Sequence, residues 1–194
     1  MTTPKTKRLT IALLVSELER AYQGPIWRAV SDRARELDVN LLCYVGGRLE
    51  SSAADTYEPD RNVLYDMVDL EKVDGVVVIS TTIGNFVSSE ALADFCARFS
   101  PKPVVSIGVP LDGVPSVTVA NEPGMRQAVD HLIEHHGCRR IAFIRGPEGH
   151  GEAETRYRVY RETLEAHGLP FDPDLVGPGD FVRATPALSL LLDE

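Results

Sequence analysis

Arg156 and Tyr160 stand four residues apart in the run Arg156-Tyr157-Arg158-Val159-Tyr160-Arg161, a spacing that puts both on one face of a helix beside Val159. A guanidinium in that setting offers a rigid fork of donors to vicinal hydroxyls or to a carboxylate. Tyr160 is placed to hold it, and Arg158 and Arg161 point elsewhere, toward solvent. Just upstream, Gly146-Pro147-Glu148-Gly149-His150-Gly151 joins an apolar run to this helix, where backbone N–H groups can hold a phosphate. The segment lacks the Lys-Ser/Thr of a P-loop, and its glycines are not spaced Gly-x-Gly-x-x-Gly, so a plain strand-to-helix turn is the preferred reading. His131 and His135 have the i, i+4 spacing of metal ligands, but no third ligand or zincin glutamate accompanies them, and no metal is expected. Ser106 in Val104-Val105-Ser106-Ile107-Gly108 lacks the first glycine of a nucleophile elbow. No nucleophile–base pair is present, so the expectation is a protein that is not an enzyme and carries no cofactor.

A second group of polar and aromatic residues falls in loops. Tyr22 opens the first helix after Ser16–Ala21, and Thr81, Thr82, Gly84 and Asn85 supply hydroxyl and amide groups after a buried strand. In open α/β sheets ligands sit beyond the carboxyl ends of strands, which is where both loops must lie. Phe181 offers a ring that can stack on the apolar face of a sugar. Trp27 is expected instead to pack its helix against the sheet. The candidate ligand-binding set is therefore Tyr22, Thr81, Asn85, Arg156 and Phe181.

The elements that position these residues alternate along the chain. Apolar runs predict strands at Leu9–Val15, Val39–Val45, Gly75–Ser80, Pro103–Ile107, Ser116–Val119 and Arg140–Ile144. Helices are predicted over about 22–37, 58–69, 88–99, 121–136 and 152–167, the second being weakest by pattern. Asn121 reads as an N-cap with Glu122 and Pro123 in the first turn, and Gly137 as the stop. Near-continuous apolar strands alternating with helices imply α/β class: a doubly wound, mainly parallel sheet covered on both faces. Alternation lapses only at Ile107–Val119, where Gly108, Pro110, Gly113 and Pro115 separate two strands without a helix. That lapse suggests a chain leaving one lobe for another. The expected division is a flexible tail at 1–8, a lobe at 9–119 and the beginning of a second, incomplete lobe at 120–194. The stretch Gly46–Glu58 reads as a polar, mobile loop.

Composition bounds the function. The chain has 194 residues, 43% of them hydrophobic, enough for a real core. Its net charge of −9 speaks against contact with nucleic acid by this segment, and Lys5, Lys7 and Arg8 form only a short basic tail. No apolar run approaches the roughly 18–20 residues of a membrane span. The apolar run Leu9–Val15 leads into Ser16-Glu17-Leu18-Glu19 rather than a cleavage site, so a secretory signal is not expected. Cys43, Cys96 and Cys138 are odd in number and far apart; two lie in apolar surroundings, which points to buried free thiols and a reducing compartment. The expected localisation is cytoplasmic.

The order of pieces in Asn121–Leu164 resembles the effector-binding region of the lactose-repressor family, of periplasmic-binding-protein type I fold. The family's wording there is an Asp-Asn, a Gly, a His-Leu near the helix end, an Arg-Ile-Ala strand, a Gly-Pro loop and an Arg-x-x-x-Tyr helix. Leu9–Val15 is similar to its first strand, Asp74–Val78 to its "DG" strand, Pro103–Ile107 to its fourth, and Gly179-Asp180-Phe181 to its "GD-aromatic". Two positions depart from the pattern: Ala120, where the family usually has Asp, and Gly108, where it often has an acidic or polar residue. The resemblance implies that Arg156 anchors an effector in an interlobe cleft, with Tyr22 and Phe181 bracketing it and Thr81 or Asn85 opposite. It implies a small polar effector, sugar-like, and a homodimer. It also implies an output domain, either following this segment or in another chain, because no helix-turn-helix stands before Leu9. The competing class is a Rossmann-like nucleotide-binding enzyme fragment using Gly146–Gly151. A third is a truncated module that only dimerises.

Overall fold

The computed structural model describes residues 7–19, 21–50, 59–146 and 150–179. The chain divides into two compact units, Met1–Thr118 and Val119–Glu194.

The first unit is built on five parallel strands, β1 (Thr10–Val15), β2 (Asn40–Val45), β3 (Gly75–Val78), β4 (Val104–Ile107) and β5 (Ser116–Val117), in the order β2-β1-β3-β4-β5. Period-two alternation explains how one strand serves two cores. In β1, Ala12 and Leu14 turn to a core that holds Val76, Val78, Phe95 and Phe99, while Leu13 and Val15 turn to the opposite side with Ile79. The first face is covered by α4 (Ser89–Ala97) through Leu92, Phe95 and Cys96; the second by α1 (Gln23–Glu36) through Ile26, Trp27 and Val30. Trp27 packs as expected and donates from Nε1 to the Leu18 carbonyl at 2.9 Å. Each fully buried leucine of β1 contributes about 1.5–3 kcal/mol relative to exposure.

Strand β2 differs from the expectation of burial on both faces. It lies at the edge of the sheet, and Leu42 and Cys43 are exposed. Cys96 is the buried thiol, and burial pushes it up to about 11; Cys138 is half-buried, and none of the three is in a disulfide.

The helix predicted near 58–69 is shorter than its pattern suggested. A 3-10 turn at Pro59–Asn62 leads into a single helical turn, α2 (Val63–Asp66). Two side chains fix it: Asn62 Nδ2 donates to the carbonyls of Gly46 and Arg48, 3.1 and 2.9 Å away, and Tyr65 anchors the turn in the core. Tyr65 is buried, and its hydroxyl donates to the carbonyls of Val15, 2.9 Å away, and Gly47, 2.6 Å away. A Cβ at Gly46 would fall 2.5 Å from that ring, so the loop after β2 needs glycine there to let tyrosine in. Residues 51–58 of the predicted polar loop lie outside the described set.

A short helix absent from the prediction, α3 (Ser80–Ile83), follows β3 directly. The buried Ser80 and Ser106 hydroxyls lie 2.6 Å apart, and Ser80 also reaches the Ile107 carbonyl, Ser106 the Val109 carbonyl. These serines close the backbone between the ends of β3 and β4. They spend the hydroxyl chemistry of Ser106 on structure.

The second unit pairs α5 (Asn121–Glu134) with α6 (Gly151–Ala166) over Val129, Ile133, Ile141, Tyr160, Leu164 and Leu169. Its two-stranded parallel sheet, β6 (Phe143–Ile144) and β7 (Val176–Gly177), is shorter than the predicted Arg140–Ile144 strand. Gly137 ends α5 at φ 65°, with its N–H bonded to the Ile133 carbonyl, as its position predicted. Asn121 does not cap α5. It is the first helical residue, Ala120 stands at the cap without a side-chain bond, and the Asn121 amide donates instead to the Val119 carbonyl, 3.3 Å away. Among the described residues, no helix is long and apolar enough to cross a membrane.

Candidate functional site

The start of α6 is set by a close approach of loop to helix. A Cβ on Gly146 would come within 2.7 Å of the Ala153 methyl, so glycine lets the buried first turn seat itself. His150 caps that turn, its Nδ1 accepting from the Ala153 N–H at 3.4 Å. Packing therefore accounts for Gly146, and Pro147–Gly149 lie outside the described residues.

Arg156 follows one turn later. Its Nη1 donates to Asn121 Oδ1 at 2.8 Å and lies 3.7 Å from Glu152 Oε2; its side chain keeps 38% of its surface. A guanidinium has five N–H donors. Of these, one is spent on a neutral amide, and the carboxylate sits beyond hydrogen-bond length. Arg158 is placed otherwise. It lies between Glu122 and Glu162, the latter 2.7 Å away, and both carboxylates hold its charge. It is ion-paired rather than merely solvated. Arg145 grips Glu154 through two bonds of 2.7 and 2.8 Å, and its guanidinium lies 4.5 Å from the Tyr157 ring; Arg161 stacks over Phe171 at 4.8 Å.

Tyr160 does not serve as the expected brace for Arg156. Its ring stacks on Phe143 in the core and its hydroxyl donates to the Ile141 carbonyl at 2.8 Å. The bracing groups are Asn121 and Glu152, which sequence reasoning passed over. The signal for Glu152 was present, a glutamate four residues before an arginine on a helix; Asn121 was masked by its resemblance to a cap. Glu152 has a further peculiarity: its Oε1 is closed from solvent and, among the described residues, has no hydrogen-bond partner. Burial lowers the His150 pKa, with nearby Glu152 opposing the shift and Arg156 adding to it.

In the first unit, the loop after β1 and helix α3 after β3 emerge from the carboxyl ends of adjacent strands, since Leu14 pairs with Val78. Tyr22 is 46% exposed. Its loop is ordered by buried Gln23, which donates to Ser16 Oγ at 2.8 Å and accepts from the Glu17 N–H. Thr81 is buried, and its side chain lies over Gly108, whose φ is 103° and where a Cβ would meet the Thr81 Cβ at 2.3 Å. The glycine that departs from the family pattern thus makes room for this threonine. Asn85 is half-buried and keeps surface for a ligand. Phe181 lies outside the described residues.

The histidines of α5 pair differently from their sequence spacing. His131 Nε2 lies 3.2 Å from His136 Nε2, with the His135 ring 4.8 Å from that of His131. Asp130, Glu134 and His167 also bring ligand atoms within 4.8 Å of one another. The 2.8 Å bond between His167 and Asp130 accounts for that cluster as a tie between the ends of α5 and α6.

Residues 8–186 match the family described as periplasmic binding proteins and sugar binding domain of the LacI family. This chain belongs to that family. It is 25% identical over 167 residues to the HTH-type transcriptional regulator DegA of Bacillus subtilis, covering 86% of this chain and 46% of DegA. It is 43% identical over 89 residues to the HTH-type transcriptional regulator CelR of Thermobifida fusca, covering 45% of this chain and 26% of CelR. Among solved structures, a complex of the transcriptional regulator CelR with cellobiose superposes with a TM-score of 0.68 at 30% identity, over 96% of this chain and 56% of that one. The transcription regulator CcpA of Lactococcus lactis gives 0.64 at 25% identity, over 90% and 60%. The fold is that of the family's effector domains, an α/β architecture with a parallel sheet. The chain spans less than half the length of the curated relatives DegA and CelR. Those relatives are transcriptional regulators, not enzymes.

Proposed function

We propose that this chain is the effector-sensing part of a cytoplasmic regulator and binds a small, sugar-like molecule. The observation that carries the reading is Arg156: half-exposed, oriented by Asn121, and left with most of its donors unspent at the position the family resemblance assigns to effector anchoring. Cellobiose, the sugar bound by the CelR relative, is the first probe. Tyr22, Asn85 and Phe181 are proposed as further contacts, whereas Thr81 is buried against Gly108. Binding acts on an output function by favouring one arrangement of the protein over another, which requires different affinities for the two. That output, DNA binding or another, belongs to a separate segment or chain, and the regulator works as a homodimer. No catalysis is assigned: Ser106 is consumed by its bonds to the Ser80 hydroxyl and the Val109 carbonyl, and among the described residues no nucleophile is paired with a base.

Calorimetry against a panel of mono- and disaccharides, with ATP and NAD as controls, tests the proposal. Saturable binding of a sugar supports it. Binding of ATP or NAD with no response to any sugar would replace it with the nucleotide-enzyme reading.

A further inference from the structure

Glu152 is an unusual neighbour for an anchoring arginine. A carboxylate is an acceptor only, and leaving one of its oxygens desolvated without a donor costs more than for a neutral group. Its Oε1 is in that condition, while Oε2 faces Arg156 from 3.7 Å. The Glu152 side chain still keeps 23% of its surface, beside the 38% of Arg156. Its terminal torsion is broad and roughly two-fold, so a small turn presents an oxygen to a molecule seated on the guanidinium.

The two charges cancel locally. Among the described residues, other groups nearby add no positive surplus: Glu154 joins Glu152 in the first turn of α6, offsetting the positive end of the helix, and Arg145 is committed to Glu154. His150 is held toward its neutral form by burial. An anion would gain from Arg156 but meet Glu152; a cation would gain from Glu152 but meet Arg156. A hydroxyl group satisfies both, accepting from the guanidinium and donating to the carboxylate.

We infer that the subsite made by Arg156 and Glu152 selects an uncharged polyhydroxy compound and rejects phosphorylated or carboxylated ones. This rests on the sensing role proposed above, and makes Glu152 the residue that sets ligand charge. The experiment pairs neutral and phosphorylated probes, glucose with glucose 6-phosphate and ribose with ribose 5-phosphate, adding cellobiose and inorganic phosphate, all titrated calorimetrically. At least one neutral probe binds, and phosphorylation weakens it by about tenfold or more, as expected when like charges are brought together. Glu152→Gln, close in size, narrows that gap, whereas Glu165→Gln, an equal charge change at an exposed position of the same helix, leaves it unchanged. Circular dichroism checks that both variants fold. If a phosphorylated probe binds as tightly as its neutral partner, or if Glu152→Gln leaves the ratio where it was, the inference falls and the sensing role stands. Should no probe of either class bind, both fall together.

Discussion

Replacing Arg156 by alanine separates effector binding from folding. In the free protein the guanidinium makes one 2.8 Å bond to an amide and a loose i, i+4 pair at 3.7 Å, with 38% of its surface exposed. Exposed i, i+4 pairs contribute about 0.3–0.5 kcal/mol, and a typical net hydrogen bond about 1 kcal/mol. The fold should therefore lose only about 1 kcal/mol. A hydrogen bond from a charged donor to an effector hydroxyl contributes about 1.5–3 kcal/mol, which is roughly a ten- to hundredfold change in affinity. Arg158 is the internal control. The two residues stand two positions apart on one helix, but Arg158 is held by the carboxylates of Glu122 and Glu162, whereas Arg156 bonds a single neutral amide.

The assay is calorimetric titration of the best sugar into wild type, Arg156→Ala and Arg158→Ala, beside urea unfolding of each. The expected outcome is a ten- to hundredfold loss for Arg156→Ala, and less than about twofold for Arg158→Ala, with similar unfolding midpoints. Equal losses in both variants, or none in Arg156→Ala, would refute the reasoning, because one guanidinium is held by two carboxylates and the other by a neutral amide.

Tyr65→Phe should lower unfolding free energy by about 1–3 kcal/mol, since two carbonyl acceptors lose a buried donor; urea denaturation measures it. Gly108→Ala should cost about 2 kcal/mol or more, because a side chain at φ 103° also collides with Thr81; the same assay checks it, and an unchanged midpoint would contradict the packing described. Cys43 should react with a thiol reagent in the native protein, slowed because partial burial raises its thiol too, and Cys96 only on unfolding, because one is exposed and the other buried with its thiol pushed up to about 11. The same shift sets a pH dependence. From about pH 9, the ordinary thiol value, the unfolded state releases this proton while the folded state retains it, so stability falls as pH rises toward 11. Stability profiles of wild type and Cys96→Ala should diverge in that window, the variant declining less.

What could be read from sequence follows the range of the forces involved. Parallel strands buried on both faces leave apolar runs, so β1, β3 and β4 and the helices beside them were legible from periodicity alone. Gly137 was legible too, since a helix stop is a local event. Elements held by distant partners were not. Helix α2 exists because Tyr65 reaches the carbonyls of Val15 and Gly47, the first of them fifty residues away, through a gap kept open by Gly46. Helix α3 depends on hydroxyls of Ser80 and Ser106 meeting at the ends of neighbouring strands. Edge position, which exposes Leu42 and Cys43, follows from the strand order, which no single segment encodes.

The candidate site divides in the same way. Arg156 was visible as a residue type at a telling place, and its position was carried by a motif. Its surroundings were not. Asn121 lies thirty-five positions from Arg156 and reads locally as a cap. It fills the other role because Ala120 occupies the cap position, where the family usually has a side chain able to bond the helix end. Tyr160 shares a helix face with Arg156, yet the core claims it, since burying its ring against Phe143 and its hydroxyl on Ile141 satisfies both ends of the side chain. A shared helical face fixes which residues can meet. Which of them do meet is decided by what else is packed there, and here that leaves Arg156 facing outward with a carboxylate beside it.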